Sequence, residues 1–99
     1  MSKRDLEKLK KTTRSLKKTL ADNYQVKRIG FFGSVARGDD TPKSDLDVLV
    51  EFKGPIGLFK FVELQRFLRY RLKKKVDLVS KKGLKRVIKK DILKETIYI

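Results

Sequence analysis

The sequence predicts an α/β or α+β domain with a small sheet. Three observations carry that prediction. Apolar residues recur at helical spacing in three stretches. Short runs rich in Val, Ile, Leu and Phe, bounded by Gly, Pro, Asp and Lys, read as strands. The two kinds of segment interleave in the order α-β-(turn)-β-α-β-α, which calls for helices packed on a sheet. With 99 residues the chain is expected to form one domain spanning 1–99, not two.

The elements follow in order. Residues 5–21 place Leu6, Leu9, Leu16 and Leu20 on one face among Lys and Arg, predicting one amphipathic helix that Asp22-Asn23 stops. Residues 25–32 (QVKRIGFF) read as a strand, broken by Gly33-Ser34, and Val35-Ala36-Arg37 starts a short helical turn. Residues 38–43 (GDDTPK) form a polar loop, and residues 46–52 (LDVLVEF) a second strand. After the turn at 53–57, residues 58–72 predict a helix. Its candidate core positions are Leu58, Phe61, Val62, Leu64, Phe67, Leu68 and Leu72. Residues 76–79 (VDLV) are a third strand and Lys81-Lys82-Gly83 turns the chain. Residues 84–94 predict a last helix with Leu84, Val87, Ile88 and Ile92 on one face. The tail Ile97-Tyr98-Ile99 is expected to be extended.

Composition narrows the chemistry. Without cysteine there are no disulfides or thiolate metal sites, and without histidine most zinc sites and imidazole acid–base mechanisms fall away. Any metal must be held by oxygen, which favours Mg2+ or Mn2+. No apolar run approaches the roughly 20 residues that cross a membrane. The lead-in Met1-Ser2-Lys3-Arg4-Asp5 has no apolar signal-peptide core, so a cytoplasmic protein with no membrane partner is expected. The formal charge of +15 comes from 27 Lys and Arg against 12 Asp and Glu. Such an excess attracts polyanions: nucleic acid, triphosphates or an acidic protein. It also fits the charged surface networks of heat-adapted proteins. Both readings stand at this level.

One constellation carries chemistry. Asp45 and Asp47 flank Leu46 at the start of the second strand. Side chains alternate along a strand, so both carboxylates face one side while Leu46, Val48 and Val50 face the other. Two carboxylates aimed together repel unless a cation sits between them. Asp77, in the middle of VDLV, is a poor strand former there, and it reaches the same face if its strand lies beside the first two. Three carboxylates are enough to hold two Mg2+ ions with help from phosphate oxygens and water. Glu51 lies too far along to share them. Gly33-Ser34 follows the first strand directly, and glycine lets backbone approach a phosphate closely. The Ser hydroxyl, backbone N–H groups and Arg37 make this loop a candidate nucleotide-binding element.

The run Gly30-Phe31-Phe32-Gly33-Ser34-Val35-Ala36-Arg37-Gly38, followed by Ser44-Asp45-Leu46-Asp47-Val48-Leu49-Val50, resembles the signature of the DNA polymerase beta-like nucleotidyltransferase superfamily. Gly-Ser, ten intervening residues, then Asp-x-Asp is that signature, and Val76-Asp77-Leu78-Val79 is similar to its third-carboxylate strand. The small size and the tail resemble the minimal nucleotidyltransferases (MNT proteins), antitoxins of HEPN–MNT toxin–antitoxin pairs. The resemblance runs from about residue 24 to 99. It implies a small mixed β-sheet with helices packed on it and a nucleotide cleft. It implies Asp45 and Asp47 as ligands of both metals, and Asp77 as ligand of the catalytic metal and activator of the attacking hydroxyl. Gly33 and Ser34 would hold the triphosphate of ATP. The implied reaction moves AMP from ATP to a tyrosine of a HEPN-domain toxin.

Two other readings remain open from the residues. A binding subunit could silence its partner by contact with little or no transfer, although such a subunit need not keep three carboxylates. An enzyme adding nucleotides to a nucleic-acid end would suit the basic surface, yet the short chain leaves no segment for a nucleic-acid platform.

Overall fold

A computed structural model of the chain describes residues 3–99. Met1 and Ser2, which open the charged lead-in, lie outside the described residues. The elements are α1 (Lys3–Ser15), α2 (Lys17–Tyr24), β1 (Val26–Phe32), α3 (Gly33–Arg37), β2 (Leu46–Phe52), α4 (Leu58–Leu72), β3 (Val76–Ser80), a 3-10 turn (Lys81–Gly83), α5 (Arg86–Glu95) and β4 (Ile97–Tyr98). The four strands form one sheet in the order β3-β2-β1-β4. β1 runs antiparallel to β2 and β4, while β2 and β3 are parallel. The sheet is therefore mixed, and α4 is the crossover that a parallel pair requires.

The core lies between one sheet face and the helices α1, α2 and α4. Leu46, Val48 and Val50 of β2 are fully buried, as alternation demands, together with Ile29 and Phe31 of β1 and Val76 of β3. Leu9, Leu16, Leu20, Leu64 and Leu68 meet them from the helices. Tyr24 and Phe67 lie with ring centroids 5.5 Å apart at the edge of this cluster.

Four expectations need correction. The N-terminal helix is two helices. The Leu16 N–H donates to the Thr13 carbonyl three residues back (3.0 Å), and the buried Thr13 hydroxyl donates to the Leu9 carbonyl (2.8 Å). Such back-bonding bends a helix. Asp22-Asn23 does not stop the second helix. It ends at Tyr24, where Gln25 takes a left-handed conformation (φ 55°) and caps onto Leu20.

In α4, the predicted core positions Leu58 and Val62 are exposed. The buried stripe is Leu64, Leu68 and Leu72, with Phe61 and Phe67 half-buried. Val62 sits roughly 160° round the helix from Leu64, and Leu58 lies in the first turn. The last helix spans Arg86–Glu95 and buries none of its residues: Val87 is 87% exposed and Ile88 47%. Leu84 precedes it in extended backbone.

The tail is extended, and it closes the sheet. β4 pairs Tyr98 with Gly30 and Ile97 with Phe31, and the Ile99 N–H donates to the Ile29 carbonyl (2.9 Å). Gly30 makes this possible. A Cβ there would come within 2.6 Å of Thr96 Cγ2 and 2.9 Å of the Ile97 carbonyl oxygen, so a side chain would lift the strand away.

Candidate functional site

The parallel register of β2 and β3 sets Asp47 directly beside Asp77. Partners in a sheet project to the same face, so the two carboxylates share one face, with Leu46, Val48, Val76 and Leu78 buried on the other. Asp45 stands one residue ahead of β2 and is exposed. A turn delivers it there: the Ser44 N–H donates to the Thr41 carbonyl, and the Thr41 N–H donates to Ser44 Oγ, each at 2.9 Å. Glu51, four residues further along β2, is remote from the pair and is bridged instead by Lys81 (3.8 Å) and Lys27 (4.0 Å).

Gly33 brings the loop to the carboxylates. It sits in a left-handed conformation (φ +75°) where β1 turns into α3. A Cβ at this position would overlap Asp47 Oδ2, so glycine is needed both for the turn and for the approach of the carboxylate. Ser34 is half-buried, and its carbonyl accepts the N–H groups of Gly38 (2.9 Å) and Asp39 (3.0 Å), which closes α3 at the left-handed Gly38. Arg37 donates through Nε to Asp39 (3.2 Å) and through one terminal nitrogen to both oxygens of Glu95 (3.3 and 3.1 Å). These hydrogen bonds, Asp39 first, raise the guanidinium pKa further.

The electrostatics mark Asp47. Its pKa is raised to about 6, chiefly because the half-buried carboxylate loses hydration, and then because Asp77 and Asp45 repel its charge. Arg37 partly offsets this, and Glu95 adds to it. Asp45, Asp77, Arg37 and Glu95 thus all act on Asp47. Among the described residues no three carboxylates are drawn in around one point at metal-binding distance. Like charges on one face repel.

Glu95 is the residue that sequence reasoning missed. Its carboxylate accepts the Gly33 N–H at 3.1 Å across 62 residues of chain. No local motif announces it. A cavity of about 680 Å3 lies elsewhere, at the far ends of β2 and β3. Phe52, Ile56, Leu58 and Phe61 line it, with Lys53 and Lys89 among its basic residues. Because β2 and β3 are parallel, this places it away from Asp47 and Asp77, which stand near the strand beginnings, so the cavity is not the carboxylate site.

A mixed sheet whose adjacent strands carry Asp47 and Asp77 side by side, entered from a Gly-Ser turn, is the arrangement that the sequence resemblance implies. The profile of the nucleotidyltransferase domain family matches residues 13–99, and the chain belongs to that family. Among relatives, it is similar to the protein adenylyltransferase MntA of Thermococcus cleftensis, 40% identical over 94 residues, which are 95% of each chain. Among solved structures, a candidate minimal nucleotidyltransferase superposes with a TM-score of 0.81 at 35% identity, covering 98% of both chains. A toxin–antitoxin structure with AMP-PNP superposes with a TM-score of 0.71 at 26% identity, covering 86% of this chain and 69% of that one.

Proposed function

We propose that this chain transfers AMP from ATP to a tyrosine hydroxyl of a HEPN-type toxin and so acts as its antitoxin. The observation that carries the reading is the register Asp47 beside Asp77, with the Asp47 carboxylate lying against Gly33. The similarity to MntA of Thermococcus cleftensis, an adenylyltransferase by name, and to a toxin–antitoxin structure with AMP-PNP supports both the reaction and the partner.

The donor chemistry suits a divalent metal, and the three carboxylates would draw in around it from their present spacing. The donors are all carboxylate oxygens, the choice of a hard cation such as Mg2+ or Mn2+. Asp47 is held at a raised pKa by desolvation and by two neighbouring carboxylates, a strain that a cation relieves. Asp45, Asp47 and Asp77 would hold the metal. When bound, it supplies charge neutralisation and Lewis-acid polarisation to the triphosphate. Ser34 and the Gly33 N–H hold phosphate oxygens, and Arg37 adds a guanidinium that remains charged at any working pH. The tyrosine oxygen attacks the α-phosphorus, and the new bond forms as the bond to the bridging α–β oxygen breaks. Pyrophosphate leaves. Asp77, exposed on β3, takes the phenolic proton.

Among the described residues no helix is long and apolar enough to cross a membrane. A cytoplasmic setting, where ATP is supplied, is part of the proposal.

Mass spectrometry of the co-expressed pair tests the reaction. The partner should carry added AMP on tyrosine, and the modification should vanish with Asp45→Asn. An unmodified partner that is still bound and silenced by the Asp45→Asn protein would replace transfer by neutralisation through contact. AMP found on RNA or DNA ends instead would replace the protein acceptor.

A further inference from the structure

The C-terminal segment places an anion on the loop assigned to the triphosphate. β4 runs antiparallel to β1 with Ile97 opposite Phe31 and Tyr98 opposite Gly30. Glu95 ends α5 two residues before Ile97, and Gly33 opens α3 two residues after Phe31, so the pairing brings the two element ends together. The bare Gly30 lets Thr96 and Ile97 lie flat against β1, which brings the end of α5 close to the end of that strand. The Thr96 hydroxyl donates to the Ile92 carbonyl (2.6 Å) and fixes that end. Glu95 Oε1 then accepts the Gly33 N–H (3.1 Å) and an Arg37 N–H (3.3 Å), while Oε2 accepts from Arg37 at 3.1 Å.

We propose that Glu95 is a positioning residue that stands in for phosphate. Its carboxylate holds the Gly33 N–H and the Arg37 guanidinium in place while the site is empty, and yields both to the nucleotide. A backbone N–H and a guanidinium are the donors a phosphate oxygen takes, and both are already aimed at one anion. One N–H cannot serve two anions at full strength, so a phosphate at Gly33 displaces Glu95. The displaced side chain has somewhere to go: it is 30% exposed and can turn to water. Its departure also removes a negative charge from a face that already carries Asp45, Asp47 and Asp77. The exchange therefore acts on affinity for the phosphates and not for the nucleoside. This rests on the reading of Gly33 and Ser34 as the triphosphate loop.

Calorimetric titration of Mg·ATP and of adenosine into the wild type, Glu95→Gln and Glu95→Asp decides it. Glu95→Gln removes the charge, and Glu95→Asp shortens the reach by one methylene. Each should tighten Kd for Mg·ATP on the order of tenfold, the worth of one released charge-assisted contact, and leave adenosine unchanged. Thermal melts report whether each variant folds, and either folded variant suffices. Unchanged or weaker Mg·ATP binding overturns the stand-in role and makes Glu95 a structural tie. An equal gain for adenosine also overturns it, because a loosened site would do the same. If neither the wild type nor the variants bind Mg·ATP, the nucleotide loop itself is misassigned and this inference falls with it.

Discussion

Replacing Asp47 by Asn should stabilise the metal-free protein at neutral pH while abolishing transfer. In the folded chain Asp47 titrates near 6, against 3.8 for an unhindered Asp. Between those values the folded state holds the proton that the unfolded state has released. Stability therefore falls as pH rises from about 4 to about 6, and the full penalty remains above that window. The interval sets a ceiling of about 3 kcal/mol. Asp47 is only half-buried, and water screens much of the effect, so about 1 kcal/mol is the expected size. Asn cannot ionise and carries no such penalty. Melts in EDTA should place Asp47→Asn about 4–8 °C above wild type at pH 7.5, and level with it near pH 4. Added Mg2+ should raise the wild type and not the variant. A variant that melts below wild type at pH 7.5, or runs parallel to it at every pH, would refute the account of the strained carboxylate. Near-normal transfer by the variant would refute Asp47 as a metal ligand.

Three further outcomes are expected. Gly33→Ala should lose about 2 kcal/mol, from the left-handed backbone and the overlap with Asp47 Oδ2, and lose nucleotide binding with it. Urea melts and calorimetry measure the two losses, and a neutral variant would contradict the close approach. ATP binding should vanish in EDTA and return with Mg2+, since three unscreened carboxylates repel a triphosphate; equal affinity in both conditions refutes the site as drawn. The association rate with an acidic partner should fall steeply as salt rises, because a chain of +15 steers the encounter electrostatically. Stopped-flow traces flat in salt would exclude steering.

Much of this architecture was legible in the chain because it rests on local pattern. The β2 span and the α4 span, the alternation that buries Leu46 and Val48 behind Asp47, and the turn at Gly33 all follow from periodicity and glycine chemistry. The juxtaposition of Asp47 and Asp77 needed one more condition, that β3 lie beside β2. A strand–helix–strand connection favours that arrangement without compelling it. What escaped was long-range or energetic. The break at Leu16 depends on back-bonding of Thr13, which looks like any helical Thr in sequence. The exposure of Val87 and Ile88 depends on where α5 lands, not on its own spacing. Glu95 reaches Gly33 only through the β4 register, and nothing near residue 95 hints at a partner 62 positions away.

The flat seat at Gly30 bears on the order in which the molecule assembles. β1, β2, α4 and β3 are complete by Ser80, and their pairings bridge neighbouring segments. β4 joins Ile97 to Phe31, a separation of 97 − 31 = 66 residues, through only two paired positions. A contact that closes so long a loop for so little reward forms late. The three-stranded sheet is therefore expected to form ahead of the last strand, which docks along β1 afterwards. Substitutions at Gly30 and Ile97 should accordingly speed unfolding more than they slow refolding, while those in the β2–β3 pair that carries the aspartates should slow refolding.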